Sequence, residues 1–155
     1  KNLKEFLNIA RKLPEYKFAI AGEGPQFNEL KHYSKENEIK NVSFLGYTDS
    51  KVFLNSIRVY LSSSLWEGLP YSVLEAISFG KPIVLSNVIG HLDFHYEGKS
   101  ACLYNTEKEA ITIIHRLLSD KKFYTNCMNN SILLTHKFSL QRFRFAVCKL
   151  YKTVR

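Results

Sequence analysis

Residues 67–84 read Glu67-Gly68-Leu69-Pro70-Tyr71-Ser72-Val73-Leu74-Glu75-Ala76-Ile77-Ser78-Phe79-Gly80-Lys81-Pro82-Ile83-Val84. The order is an acid, a glycine-bearing loop, a helix start, a second acid, a helix end and an apolar strand. Free N–H groups at a helix N-terminus are unsatisfied donors at the positive end of the dipole, and they suit phosphate. Ionised carboxylates only accept hydrogen bonds, so they suit hydroxyl groups. A ligand that carries both phosphates and hydroxyls, a nucleotide-sugar, matches such a loop.

The same alternation extends outward in both directions. Leu3, Phe6, Leu7, Ala10 and Leu13 recur at helical spacing and stop at Pro14. Residues 17–21 read as a short buried strand that ends in the tight turn Gly22-Glu23-Gly24-Pro25. A helix is expected from Pro25 to about Asn37, with Phe27, Leu30 and Tyr33 facing inward. Further strands are expected at 42–45, 59–62, 82–85 and 101–104. Asp49 or Ser50 caps a short helix that buries Val52, Phe53 and Ile57. After Thr106 the pattern is helical, with breaks near Asp120 and Phe138-Ser139. Short apolar strands alternating with helices predict an α/β, Rossmann-like parallel sheet with helices on both faces. Ligands of such sheets bind beyond the strand C-terminal ends. The turns at Gly22–Gly24, Gly46-Tyr47, Ser62–Ser64 and Glu67 should therefore share one rim.

The totals bound the rest. With 155 residues, 45% of them hydrophobic, the chain suits one domain with a real core. No apolar run is long enough to span a membrane. The chain opens Lys1-Asn2-Leu3-Lys4 without an initiator Met or a signal-peptide pattern, and reads as one domain, 1–155, cut from a longer protein. Cys102, Cys127 and Cys148 are odd in number and widely spaced, as expected of buried free thiols. The net charge of +8 suits anionic partners. It is densest from Lys137 to Arg155, a stretch free of acids, where a solvated basic helix face is expected, with docking to an anionic surface or another domain as the alternative, and where the aromatics are expected to pack an amphipathic helix on the sheet. His91, Asp93 and His95 would share one face if they lay on a strand, but no metal site is expected there.

The ordered set of motifs resembles the C-terminal, donor-binding half of glycosyltransferase family 4, whose members have the GT-B fold. Glu67, Glu75, Ala76 and Gly80-Lys81-Pro82 match the family's paired acids and strand entry. Ala21-Gly22-Glu23-Gly24-Pro25, Phe44-Leu45-Gly46 and Phe138-Ser139 match its other landmarks in order and spacing. Two departures lie downstream: Asp93 stands where a Glu is frequent, and Ala101 where a Gly is usual. The resemblance implies that Lys1 follows the domain's first strand, so the sheet lacks a middle member and the N-terminal acceptor domain is absent. An isolated chain of this kind is expected to be marginally stable and inactive.

Roles follow from the resemblance. Glu75 is implied to accept hydrogen bonds from the donor ribose; otherwise it is an exposed helix glutamate worth at most about 1 kcal/mol. Glu67 is implied to orient the donor sugar, the catalytic position; its plain alternative is a surface loop acid. Lys1 and the backbone N–H groups of Tyr71, Ser72 and Val73 would meet the diphosphate. Gly68 permits close approach, while Leu69 and Pro70 shape the loop. Gly22 and Gly24 would line the donor cleft, and Tyr47 would contact the base. The implied activity is retaining transfer of a hexose from a UDP- or GDP-linked donor to a glycan or lipid acceptor. The donor is a substrate, and no cofactor or metal is expected. The expected location is cytoplasmic or peripheral at the inner membrane face, without a nucleic-acid partner. Two alternatives stay open: a sugar-nucleotide epimerase of the same fold, and a non-catalytic basic module that binds polyanions.

Overall fold

A computed structural model describes residues 1–95 and 101–153, and the expected basic tail residue Arg155 lies outside them. The elements alternate as read: α1 (Leu3–Arg11), β1 (Phe18–Ala21), α2 (Phe27–Glu36), β2 (Val42–Gly46), α3 (Ser50–Ser56), β3 (Tyr60–Ser62), α4 (Tyr71–Ser78), β4 (Ile83–Ser86), α5 (Ile89–Leu92), β5 (Cys102–Tyr104), α6 (Glu107–Ser119), α7 (Lys121–Lys137) and α8 (Leu140–Thr153). Among the described residues every strand ladder is parallel, beside one isolated antiparallel bridge between Gly22 and Gly46. The strands form two sheets, β1-β2 and β3-β4-β5. Among the described residues β1 and β3 exchange no ladder bonds.

Local chemistry explains the boundaries. Asp49 caps α3 by accepting from the N–H groups of Lys51 (2.9 Å) and Val52 (3.1 Å). Helix α4 ends in a left-handed glycine, Gly80, at φ 64°. The Gly80 N–H then reaches the Ile77 carbonyl (2.9 Å) and the Lys81 N–H reaches that of Ala76 (3.0 Å), which satisfies the last carbonyls of the helix. Pro82 follows, and the chain leaves directly into β4. Asp120 separates α6 from α7. Its carboxylate accepts from the Phe123 N–H (3.0 Å), and its own N–H closes α6 on the Arg116 carbonyl (2.8 Å). Asp120→Ala is therefore expected to cost about 1 kcal/mol in urea denaturation.

Three apolar clusters hold the layers. On one side of β3-β4-β5, Ile83 and Leu85 pack with Val73, Ala76 and Ile77 of α4 and with Leu134 of α7. On the other, Val84 packs with Ile9, Leu13, Ala110, Ile114 and Leu117. The third cluster joins Phe6, Leu7 and Ala10 of α1 to Ile20 and Leu30. Helix α1 thus serves both sheets: Ile9, with Leu13 just beyond the helix, packs with Val84 of β4, and Phe6, Leu7 and Ala10 pack with β1 and α2.

Several expectations need correction. Strand β4 is buried on both faces, but β2 alternates: Ser43 and Leu45 are exposed, because β2 is an edge strand packed on one side only. Val52 is exposed, and Leu54 takes the core position of α3. Helix α8 does not pack on the sheet: Leu140, Phe143, Phe145, Leu150 and Tyr151 are all exposed. Cys148, on that helix, is exposed rather than buried. Among the described residues no helix is long and apolar enough to cross a membrane.

Candidate functional site

The C-terminal ends of β1 and β3 open onto a cavity of about 440 Å³. Lys1, Gly22, Gly24, Ser63, Ser64 and Ser72 line it. Two of the four turns expected on one rim, Gly22–Gly24 and Ser62–Ser64, therefore meet there, because parallel strands deliver their exits to the same side. The Gly22 N–H donates to the Gly46 carbonyl (2.7 Å), and Glu23 accepts from the Tyr47 N–H (3.3 Å), so the two turns brace each other. Tyr47 itself is 88% exposed and projects from the rim rather than lining the cavity.

Glu67 is the most heavily constrained acid of the site. Its carboxylate pairs with the Lys1 ammonium and accepts from Ser64 Oγ (2.7 Å). Burial raises its pKa, but the hydrogen bonds from Lys1 and Ser64 outweigh burial and leave it below the ordinary value of 4.5. Glu67 is thus an anion at neutral pH, held at a fixed place. Ser63 Oγ donates to the main-chain carbonyls of Lys1 (3.2 Å) and Asn2 (3.0 Å) and ties the start of α1 to the end of β3.

The second acid differs. Glu75 is exposed on the second turn of α4, and Ser50 Oγ approaches it at 3.4 Å. Burial pushes the Tyr60 hydroxyl to a higher pKa, a bond with Ser72 opposes this, and Glu67 and Glu75 both add to the rise. One phenol therefore lies within electrostatic reach of both carboxylates, which brings the two acids to one neighbourhood.

Of the residues between the acids, Gly68, Leu69 and Tyr71 are exposed, and Pro70 is buried at the N-cap position of α4. The expectation of three free N–H groups needs correction. The Val73 N–H is already bonded to the Pro70 carbonyl (3.0 Å) in a tight first turn, and the Val73 side chain lies in the core. Tyr71 and Ser72 remain as the donors the helix start offers.

The loop rests on a short helix that the sequence did not reveal. In α5, Gly90 packs against the carbonyls of Glu67 and Gly68 so closely that a Cβ there would overlap them. His91 follows, 0% exposed; its Nδ1–H donates to the Ser86 carbonyl (2.7 Å). That bond fixes the tautomer and leaves Nε2 as a buried lone pair without a partner. Ser86 Oγ in turn donates to the Ser64 carbonyl (2.6 Å). A continuous polar path therefore runs from His91 through Ser86 and Ser64 to Glu67. The strand geometry assumed for His91, Asp93 and His95 does not hold: His91 is buried in α5, Asp93 is exposed, and the His95 ring bonds the Ala101 carbonyl (2.7 Å).

The sequence reading placed Ser64 on the rim and named His91 among spaced histidines, but the bond from Ser64 to Glu67, the position of Tyr60 near both acids and the burial of His91 escaped it. The signal for the first was present, since three consecutive serines directly after an apolar strand are placed to bond whatever the next loop carries.

His91 has a measurable consequence. Burial holds its imidazole below the ordinary 6.5, with the Ser86 bond and Glu67 pulling the other way and Lys1 reinforcing burial. The unfolded chain takes up the proton before the folded one does, so stability is full above pH 6.5 and falls as pH drops through that value. Glu67, also depressed, extends the loss below pH 4.5, while Glu5, raised by burial, opposes the loss just above that value. The urea midpoint is expected to decline between pH 7 and 5.5, and His91→Gln to flatten that interval.

Comparisons with known proteins identify the family and the fold. Residues 1–133 match the family model described as glycosyl transferases group 1. An uncharacterized glycosyltransferase of Haemophilus influenzae is 29% identical over 145 residues, covering 90% of this chain and 41% of the relative. An Escherichia coli UDP-Gal:alpha-D-GlcNAc-diphosphoundecaprenol alpha-1,3-galactosyltransferase is 37% identical over 82 residues, covering 51% of this chain and 21% of the relative. The chain thus spans less than half the length of either. The crystal structure of Anabaena Alr3699/HepE in complex with UDP superposes with a TM-score of 0.88 at 16% identity, covering 99% of this chain and 45% of that one. The shared fold is that of the GT-B glycosyltransferases.

Proposed function

The chain belongs to the group 1 glycosyl transferases, and from that premise we propose that it is the C-terminal, donor-binding part of a retaining hexosyltransferase. The carrying observation is the rim at the ends of β1 and β3, where Lys1, Gly22, Gly24 and Ser72 surround one cavity with Glu67 fixed beside it. The diphosphate of a UDP- or GDP-linked sugar meets the Lys1 ammonium and the Tyr71 and Ser72 N–H groups at the start of α4. The ribose hydroxyls donate to Glu75. Glu67 faces the sugar, and its ionised state suits the positive charge that grows at the anomeric carbon as the diphosphate departs. The Lys1 ammonium balances the charge gathering on the leaving group. Donor and acceptor are substrates, and neither cofactor nor metal enters.

The acceptor is a glycan or a lipid-linked sugar, held by a preceding domain outside these 155 residues, and the protein works in the cytoplasm or at the inner membrane face. The division of the sheet supports the reading of a part. The strands divide into β1-β2 and β3-β4-β5, and a doubly wound sheet with a further strand between β1 and β3 would account for that division. Calorimetric titration with UDP, GDP and ADP tests the assignment. Saturable binding of one nucleotide is expected, most readily to the chain preceded by its natural upstream residues. A folded protein that binds none of the three would refute the donor-domain reading.

A further inference from the structure

Far along the chain from the donor loop, Cys102 at the start of β5 and Cys127 in the middle of α7 place their sulfurs 3.9 Å apart. They are 25 residues apart in sequence, and nothing in the sequence pattern pairs them. Cys127 is buried and Cys102 half-buried. Both line an open cavity of about 810 Å³ together with His95, Phe123, Asn126 and Asn129. Two thiols in contact at the wall of a solvent-connected cavity are positioned for more than packing.

We propose that Cys102 and Cys127 form a peroxide-sensitive thiol pair that closes to a disulfide between β5 and α7. The two sulfurs share one S–H···S contact, and the Arg116 guanidinium favours the thiolate at both. Burial opposes it at both. Either thiol, once ionised, can open the reaction, since the thiolate is the reactive form, and the order with Cys127 first is representative. The Cys127 sulfur attacks one oxygen of hydrogen peroxide, the O–O bond breaks, hydroxide leaves, and a sulfenic acid remains. The Cys102 sulfur then displaces hydroxide from that sulfenic acid, its own proton completing a second water. Two thiols and one peroxide thus give one disulfide and two waters.

The bridge would act on the rest of the molecule through α7. Thr135 of this helix bonds the Ile77 carbonyl of α4 (3.2 Å), and Ile132 packs at Gly80, so α7 is fastened to the helix that carries Glu75. Closing the pair ties β5 to that same unit and shortens the unfolded chain's freedom across the intervening loop.

The test is a hydrogen peroxide titration of the reduced protein, followed by alkylation under denaturing conditions and peptide mass mapping. The expected product is a monomer carrying one Cys102–Cys127 link, two hydrogens lighter than the reduced form, with Cys148 still alkylated. Its Tm should rise by roughly 5–10 °C and return on reduction. Cys102→Ser and Cys127→Ser should each abolish the link, and Cys148→Ser should leave it intact. The mass map of the unsubstituted protein decides the question even if a serine variant fails to fold. Conversion of Cys127 to its sulfinic acid without a link, or oxidation confined to Cys148-linked dimers, would overturn the proposal.

Discussion

Gly90→Ala is expected to destabilise the protein by about 3 kcal/mol or more and to weaken nucleotide binding at least about tenfold. The added Cβ would overlap two backbone oxygens, those of Glu67 and Gly68, which cannot rotate away as a side chain can. Either α5 or the donor loop must move. Helix α5 is held by His91, fully buried behind it, and the chain beyond it is held by Phe94, whose ring stacks on Phe138 with centroids 4.9 Å apart. The loop is held by Glu67, bonded to Lys1 and Ser64, and by the buried Pro70. Neither side yields cheaply, so the cost appears in stability and in the position of Glu67 at once. For a domain of this size it corresponds to a fall in Tm of roughly 6–12 °C. For stability alone, Gly24→Ala is the control, because a Cβ there meets no atom within 4 Å. An unchanged melting curve for Gly90→Ala would mean that the α5–loop contact is not kept in solution.

What the sequence disclosed and what it hid divide along a physical line. Punctuation was legible: Pro14, the glycine turn at Gly22–Gly24, Gly46, Asp49, Gly80-Lys81-Pro82 and Asp120 each end or begin an element by backbone chemistry that acts locally. The breaks at Asp120 and Phe138-Ser139 fell between α6, α7 and α8 for the same reason. Helix α5 was hidden because four residues are too few to show a period, and Gly90 looked like an ordinary turn residue until its neighbour across space was known. Burial was legible for β4, whose four residues are all apolar or small, but not for Val52 or for the aromatics of α8. Their exposure depends on what lies opposite, and composition does not carry that. At the site, residue types were legible and partners were not. The pairing of Lys1 with Glu67, 66 residues on, and the support of Ser64 by Ser86 arise only when β3 and β4 align. The spent N–H of Val73 follows from the tight first turn of α4, a detail of geometry below the resolution of any motif.

Glu75→Ala is expected to weaken nucleotide binding by roughly 10- to 100-fold while leaving the urea midpoint within about 0.5 kcal/mol of the unsubstituted protein. The separation of the two effects is the reason to prefer this residue over Glu67. Glu75 is exposed, its partner is the distant Ser50 hydroxyl at 3.4 Å, and alanine favours a helix at least as well as glutamate, so the fold has little to lose. Two hydroxyl groups of a ribose, by contrast, have much to lose when the acceptor between them disappears, since a hydrogen bond to a charged group contributes about 1.5–3 kcal/mol. Glu67 offers no such separation: its removal also strands the Lys1 ammonium and the Ser64 hydroxyl, so lost binding would report the broken network as much as the lost contact. Glu75→Gln sharpens the reading. An amide retains one acceptor oxygen but not the charge, so its affinity should fall between the other two. Equal affinities for all three proteins, at equal stability, would detach Glu75 from the ribose and leave the pair of acids without the shared ligand that their common neighbour, Tyr60, implies.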